Sequence, residues 1–167
     1  MFPKAHATAY LIGAIKLGWF KVHMPVEFYA TYFTVRNSDF DAETAILGKD
    51  ATRDAIYDYK KRYNELSKKE MDTYEMMLLI NEMLQRGVEL LPIDIRKSSA
   101  TELKVEDGKI RLPFCVISGV GDKAAKEVEE RVKGLEFTSV EEFKIKSGVA
   151  NSVVDALDRL GAFGSLP

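Results

Sequence analysis

Residues 117–125 read Ile-Ser-Gly-Val-Gly-Asp-Lys-Ala-Ala, a glycine-punctuated turn that runs directly into a predicted helix. Gly119 and Gly121 allow a tight turn, with positive φ where it is needed, while Val120 between them anchors the turn in the core. The first N–H groups of the helix that starts at Asp122 have no intrahelical partner and lie at its positive end. The stretch therefore predicts a site for an anionic group such as a phosphate.

A second turn of the same kind follows about 29 residues later. An apolar stripe over residues 140–145 leads into Ser147-Gly148-Val149, and a further helical stripe covers residues 153–160. Taken alone, the first turn is as consistent with an ordinary loop as with a phosphate site, because short glycine motifs recur by chance. The repeat favours two antiparallel helical hairpins that pack together, with turns that contact successive phosphates.

The two turns resemble tandem helix-hairpin-helix modules, which hold duplex DNA by its backbone through main-chain amides. The first turn matches the family pattern of alternating apolar residues and glycines followed by a small residue, Ala124. In the second turn Ala150 replaces the second glycine, which leaves open whether that turn contacts a phosphate or only packs. Binding through such backbone contacts does not depend on base sequence. The resemblance implies DNA contacts by Ser118, Gly119, Val120, Gly121, Lys123, Ser147, Gly148 and Asn151.

The charge balance weighs against nucleic-acid binding by bulk positive charge. The chain has 167 residues, 46% of them hydrophobic, which is enough for one good core or two small ones. Its 24 Lys and Arg against 26 Asp and Glu give a net charge of −2. Backbone amides need no field of lysines, so we expect DNA binding that is weak and sensitive to salt.

Cysteine content and hydropathy predict the cellular compartment of the chain. A single cysteine, Cys115, rules out an internal disulfide and suits a reducing cytoplasm. No stretch approaches about 18 uncharged apolar residues, and the start lacks the pattern of a signal peptide. Two histidines and one cysteine are too few for the usual structural zinc site. We expect a cytoplasmic chain with no membrane partner and no metal site.

The first half of the chain reads as helices throughout. An apolar helix ends near Lys21, an aromatic helix starts at Pro25, and Ser67 with Glu70 fits a capping box that opens a longer helix. The apolar helix has hydrophobic residues on several sides, which is typical of burial on more than one face, and we expect much of its packing partner to be missing from this chain. The aromatic stripe of the next helix favours a core role over a base-stacking surface.

A β-hairpin separates the helical half from the glycine turns. Residues 103–106 and 109–112 alternate with period two around Asp107-Gly108, the turn that such hairpins prefer. The predicted fold is mainly α with this small β-hairpin. Residues 1–86 form a helical segment, residues 87–112 a linker with the hairpin, and residues 113–167 the tandem helix-hairpin-helix region.

Longer strings resemble the C-terminal part of a bacterial replicative DNA polymerase III alpha subunit of the PolC type, a family C polymerase. Residues 2–7 (Phe-Pro-Lys-Ala-His-Ala) and 19–25 (Trp-Phe-Lys-Val-His-Met-Pro) resemble the end of the fingers domain. Residues 87–94 and 98–101 resemble the passage from the fingers into the duplex-binding domain. The resemblance implies that residues 1–86 are the C-terminal part of the fingers and that residues 113–167 hold duplex DNA.

The resemblance also implies roles near the incoming nucleotide. Phe2, Lys4 and His6 match the fingers motif, although for His6 a helix-start histidine without a special role is the alternative. Asp39 and Asp41 form an acidic pair, but an aspartate before a short helix is usually a cap. Nucleotidyl transfer uses carboxylates that hold two metal ions, and in this family these belong to the palm, which would precede residue 1.

Two hypotheses from different classes remain. The first is a non-catalytic part of a replicative polymerase that binds duplex or primer-template DNA and lies on the bacterial nucleoid. It is inactive alone, with no cofactor in this fragment and Mg²⁺ in the intact polymerase. Its partners are the remaining polymerase domains and, through residues beyond this chain, the sliding clamp. The alternative is a helical-hairpin module that binds protein and no nucleic acid. The net charge of −2 favours the alternative, whereas Lys123 and Lys126 behind the first turn favour DNA.

Overall fold

The computed structural model describes residues 3–164 and residue 166. Within them, helices dominate and three short strands form one sheet, so the predicted fold class is confirmed. The helices are α1 Lys4–His23, α2 Pro25–Val35, α3 Ala42–Ile46, α4 Lys49–Lys61, α5 Lys68–Gln85, α6 Asp122–Val132, α7 Val140–Ser147 and α8 Asn151–Arg159. The strands are β1 Leu90–Leu91, β2 Lys104–Glu106 and β3 Lys109–Arg111, and 3₁₀ turns cover Asn37–Asp39, Tyr63–Glu65 and Phe114–Val116.

Local caps set several helix starts. The Ser67 hydroxyl accepts from the Glu70 amide at 3.3 Å, and the Glu70 carboxylate accepts from the Ser67 amide at 2.9 Å, so the predicted capping box of α5 is present. The Asp41 carboxylate accepts from the Thr44 amide at 3.1 Å and caps α3. Asp41 is therefore a cap, as its position before a short helix predicts.

The β-hairpin forms where the alternating sequence predicts it. β2 pairs antiparallel with β3, and Asp107 and Gly108 turn between them with φ of 51° and 75°. β1 adds a third strand parallel to β3, with Leu90 opposite Ile110. Residues 89–91 of the predicted linker are thus tied into the sheet, because the Glu89 and Leu91 carbonyls accept hydrogen bonds from the Ile110 and Leu112 amides.

A single hydrophobic core spans the helical half and the hairpin region. Tyr29 and Phe33 of α2 are fully buried, so the aromatic stripe is core as predicted, although Val35 at its end is 78% exposed. The largest fully buried side chains from other elements are Met77, Ile80, Met83, Ile93, Ile110, Leu112, Phe114, Phe143 and Leu157. This shared core fixes the glycine turns relative to the helices.

Helix α1 lies on the surface with its apolar side chains exposed. It has no buried residue among those described, so its apolar faces are not covered within the described part of the chain. A cluster at its C-terminal end holds it: Lys21 Nζ lies 2.8 Å from the Glu82 carboxylate, and Arg86 Nη1 lies 3.2 Å from the Lys21 carbonyl. Its exposed large apolar residues are Tyr10, Leu11, Ile12, Ile15, Leu17, Trp19, Phe20 and Val22. Among the described helices, none combines the length and apolar character needed to cross a membrane.

Candidate nucleic-acid interface

The first turn joins the 3₁₀ turn at residues 114–116 to α6. Gly119 has a φ of 82°, in the left-handed region that favours glycine, whereas Gly121 has a φ of −81° and a ψ of 170°. Val120 is buried between them and donates its amide to the Ile117 carbonyl at 2.9 Å. A methyl group built at Gly121 would meet no described atom within 4 Å. Gly119 is therefore required by the backbone, while Gly121 leaves open space beside the start of α6.

The second turn, between α7 and α8, repeats this backbone. Gly148 takes the place of Gly119 with a φ of 59°, and Ala150 takes the place of Gly121 with a φ of −59° and a ψ of 142°. Val149 is buried like Val120. The alanine that departs from the family pattern thus sits where positive φ is not needed. The two predicted turns have the same form.

The helices that follow the two turns start without a side-chain cap. No side chain accepts a hydrogen bond from the described first turn of α6 or of α8. Helix α7 lies between them and is capped by Ser139, whose hydroxyl accepts from the Glu142 amide at 3.1 Å. The first amides of α6 and α8 are therefore left for water or an external acceptor, next to the positive end of the helix dipole.

The side chains predicted to contact DNA fall into two groups. Ser118, Lys123 and Asn151 are exposed beside their turns. Ser147 is buried, and its hydroxyl accepts from the Val149 amide at 3.3 Å. Ser147 therefore supports the second turn from inside, and its hydroxyl is not presented at the surface.

Arg131, near the C-terminal end of α6, reaches the second turn and was not identified from the sequence. Its Nη1 atom lies 2.8 Å from the Gly148 carbonyl oxygen and 3.4 Å from that of Ser147. The contact links the helix after the first turn to the second turn itself. The sequence carries no signal for it, since Arg131 belongs to a run of charged residues and its partners are main-chain carbonyls.

The first turn borders a cleft of about 440 Å³ that separates it from the connection between α2 and α3. Lys69, from the start of α5, is the basic residue on the cleft wall among those described. Asp39 is paired with Arg36 at 3.0 Å, and Asp41 is the cap of α3. The acidic residues on the wall are Asp39, Asp41, Glu43 and Asp122. The surroundings of the first turn are therefore acidic on this side.

Cys115 lies on the wall of the same cleft, half-buried. Burial raises the pKa of its thiol to about 11, and the nearby Asp122 carboxylate acts in the same direction. The thiol is thus protonated at neutral pH and is a poor nucleophile. Among the described residues, no group of three or more His, Cys, Asp or Glu is arranged to hold a metal ion.

Two of the residues predicted to lie near the nucleotide, Lys4 and His6, lie at the N-terminal end of α1. Lys4 and His6 are exposed there, and the His6 ring packs edge-on against Tyr10 with centroids 4.6 Å apart. Lys4 lies about 25 Å along the helix axis from Lys21, where α1 joins α5. Phe2 lies outside the described residues.

Comparison with known proteins agrees with this architecture. Residues 87–167 match the helix-hairpin-helix motif family. The whole chain is 41% identical to DNA polymerase III PolC-type from Staphylococcus saprophyticus, and 40% identical to the proteins of the same name from Staphylococcus aureus strains MW2 and N315. It spans 12% of the length of each of these relatives. The predicted resemblance is therefore confirmed: the chain is similar over its whole length to a segment of PolC-type DNA polymerase III, and its residues 87–167 match the helix-hairpin-helix motif family.

Proposed function

We propose that this chain is a non-catalytic part of a replicative DNA polymerase and that its two turns hold duplex or primer-template DNA by the backbone. The observation that carries the proposal is the repeated turn. Gly119 and Gly148 share a left-handed conformation, and each turn leads into a helix without a side-chain cap. Two such starts on one rigid core present two sets of free amides at a fixed separation.

The mechanism of the grip follows from main-chain chemistry. Amide N–H groups at the start of α6 and α8 donate to phosphate oxygens, and the dipole of each helix adds to the attraction. These contacts do not reach base edges, so affinity is independent of sequence. At a net charge of −2 the chain lacks a broad positive field, so we expect binding to be weak and to fall as salt rises.

The helical half is proposed to belong to the polymerase fingers. Lys4 and His6 are exposed at the start of α1, where a cation and a hydrogen-bond donor suit the phosphates of an incoming nucleotide. The exposed apolar residues of α1 are proposed to pack against the remaining domains of the polymerase, since the relatives extend far beyond this segment.

The wider setting of the chain is also a proposal. In the intact polymerase, Mg²⁺ would be held by palm carboxylates, and the sliding clamp would be bound through residues outside this chain. The chain would act in the bacterial cytoplasm, on the nucleoid. All three assignments rest on the relationship to PolC-type DNA polymerase III.

A protein-interaction module is the second candidate function. Ile145 of α7 is 81% exposed, two residues before the second turn, and the cleft beside the first turn is lined by four carboxylates. An exposed isoleucine and an acidic surface suit a protein partner better than a phosphate backbone.

Fluorescence anisotropy of labelled primer-template duplexes separates the two candidates. The chain would be titrated into three duplexes of unrelated sequence, first at low salt and then at stepped higher salt. Saturable binding with similar affinity for all three, falling as salt rises, supports the backbone grip. Absence of binding at low salt, or strong preference for one sequence, overturns it.

A further inference from the structure

We propose that Arg131 binds a DNA phosphate at the second turn and supplies a full positive charge there, which the main-chain amides lack. This inference rests on the proposed function, because it assigns a side chain to the same interface. It also gives a role to the second turn, whose alanine at position 150 departs from the family pattern.

The geometry holds the guanidinium of Arg131 beside the turn with donors to spare. Nη1 is engaged by the carbonyl oxygens of Gly148, at 2.8 Å, and Ser147, at 3.4 Å. A guanidinium carries five N–H donors in a fixed plane. In the part of the chain that the structure describes, Nε and Nη2 have no hydrogen-bond partner. These atoms remain for an outside acceptor, and a phosphate accepts such pairs of donors bidentately.

The charge of Arg131 is not neutralised within the described structure. Arg131 is exposed and forms no ion pair there, unlike Arg36 with Asp39 or Arg62 with Glu70. The anchored position also lowers the cost of ordering a long side chain when a ligand binds, because part of its freedom is already lost.

The electrostatics of the two turns differ in a way that favours this assignment. The first turn has Lys123, but Asp122 precedes it and the adjoining cleft is lined by acidic residues. At the second turn the Ser147 hydroxyl is turned inward and carries no charge. The Arg131 guanidinium, by contrast, is held directly on the carbonyls of this turn. We therefore assign a larger share of the salt dependence to the second turn than to the first.

The two turns lie at opposite ends of α6. Gly121 directly precedes the first residue of the helix and Arg131 lies near its other end, so about 15 Å along the helix axis separates them. No single phosphate spans that distance. The main-chain amides of the first turn and the guanidinium at the second would bind separate phosphates. The losses of binding free energy on removing each contact should therefore be additive.

The test compares Arg131→Gln, Arg131→Lys and the matched control Arg53→Gln in the anisotropy titration over a range of salt. Glutamine keeps an N–H donor for the Gly148 carbonyl but has no charge, whereas lysine keeps the charge. Arg53 is an exposed arginine of α4, so its substitution changes the net charge equally away from both turns. Helicity and melting temperature verify folding of each variant.

We expect Arg131→Gln to weaken binding about tenfold and to reduce the slope of log affinity against log salt by about 0.9, the value of one phosphate contact. Arg131→Lys should keep the slope, and Arg53→Gln should change neither quantity. If Arg131→Gln leaves the slope of log affinity against log salt unchanged, the inference is wrong. This holds even if affinity falls, because such a fall would come from lost turn geometry alone. If the wild-type chain itself binds no duplex, the proposed function also fails. This result differs from failure of the inference alone, in which wild type still binds DNA.

Discussion

At the start of α8, Ala150 adopts the extended backbone, with φ of −59° and ψ of 142°, that Gly121 adopts at the start of α6 with φ of −81° and ψ of 170°. A glycine is therefore not needed at position 121 for the fold. Its neighbour Gly119, by contrast, lies in the left-handed region. The two glycines of this short turn therefore have separable roles.

Gly119→Ala should destabilise the fold by about 1 kcal/mol or more, because a Cβ at positive φ meets the following carbonyl. Gly121→Ala should change the free energy of unfolding by less than about 0.5 kcal/mol, since its backbone is ordinary and the space around it is open. Urea unfolding followed by circular dichroism measures both. Equal losses for the two variants would refute the assigned backbone roles.

Ser147→Ala should act on stability. The variant removes a buried hydroxyl that accepts from the Val149 amide, which leaves that amide without its partner. We expect a loss of about 1 to 3 kcal/mol in the free energy of unfolding. DNA affinity of the folded protein should be unchanged, because the hydroxyl is not presented at the surface. A drop in affinity without a loss of stability would show that Ser147 contacts DNA directly.

Acid should weaken the start of α5 through Glu70. Hydrogen bonds from the amide and hydroxyl of Ser67, and then the Arg62 guanidinium, lower the pKa of the Glu70 carboxyl to about 2. A carboxyl whose pKa is lowered in the folded state contributes stability above its unfolded pKa and loses it as pH falls towards the folded pKa. This contribution is full at pH 7 and declines between about pH 5 and pH 2.

Urea unfolding of wild type and Glu70→Gln at pH 7, 5 and 3 measures this effect. The stability difference between the two proteins should be largest at pH 7 and should shrink at pH 3. A difference that stays constant over this range would show that the Glu70 carboxylate does not carry the pH dependence.

Cys115 should react slowly with thiol reagents in the folded protein. Burial raises the pKa of its thiol to about 11 from an ordinary value of 9.0, so the thiolate fraction at pH 8 falls roughly a hundredfold. Alkylation by iodoacetamide, followed by mass spectrometry, should be slower by about that factor than in urea. Similar rates in both conditions would contradict the burial of the thiol.

Local features of this fold could be predicted from the sequence. The capping box at Ser67, the hairpin around Asp107-Gly108 and both glycine turns depend on residues close together in the chain. Their physical determinants are short-range hydrogen bonds and backbone preferences. Such patterns are complete within a few residues, so no knowledge of tertiary packing is needed.

Long-range features could not be predicted in this way. The parallel pairing of β1 with β3 and the contact of Arg131 with Gly148 join segments whose meeting depends on the whole core. The inward direction of the Ser147 hydroxyl could not be predicted either, because the position of Ser147 beside Gly148 does not reveal which way the side chain points. For α1, the apolar pattern predicts burial but does not identify the partner, and a packing partner outside this chain stays a prediction.

The most direct test of the backbone grip is anisotropy titration of a labelled primer-template duplex with Gly121→Val at low salt. The valine side chain would fill the open space beside the first amides of α6 without requiring positive φ. Gly18→Val is the matched control, since Gly18 is an exposed glycine of α1 with open space around it. We expect at least tenfold weaker binding for Gly121→Val, with helicity retained, and no change for Gly18→Val. Equal affinity of Gly121→Val and wild type would contradict it.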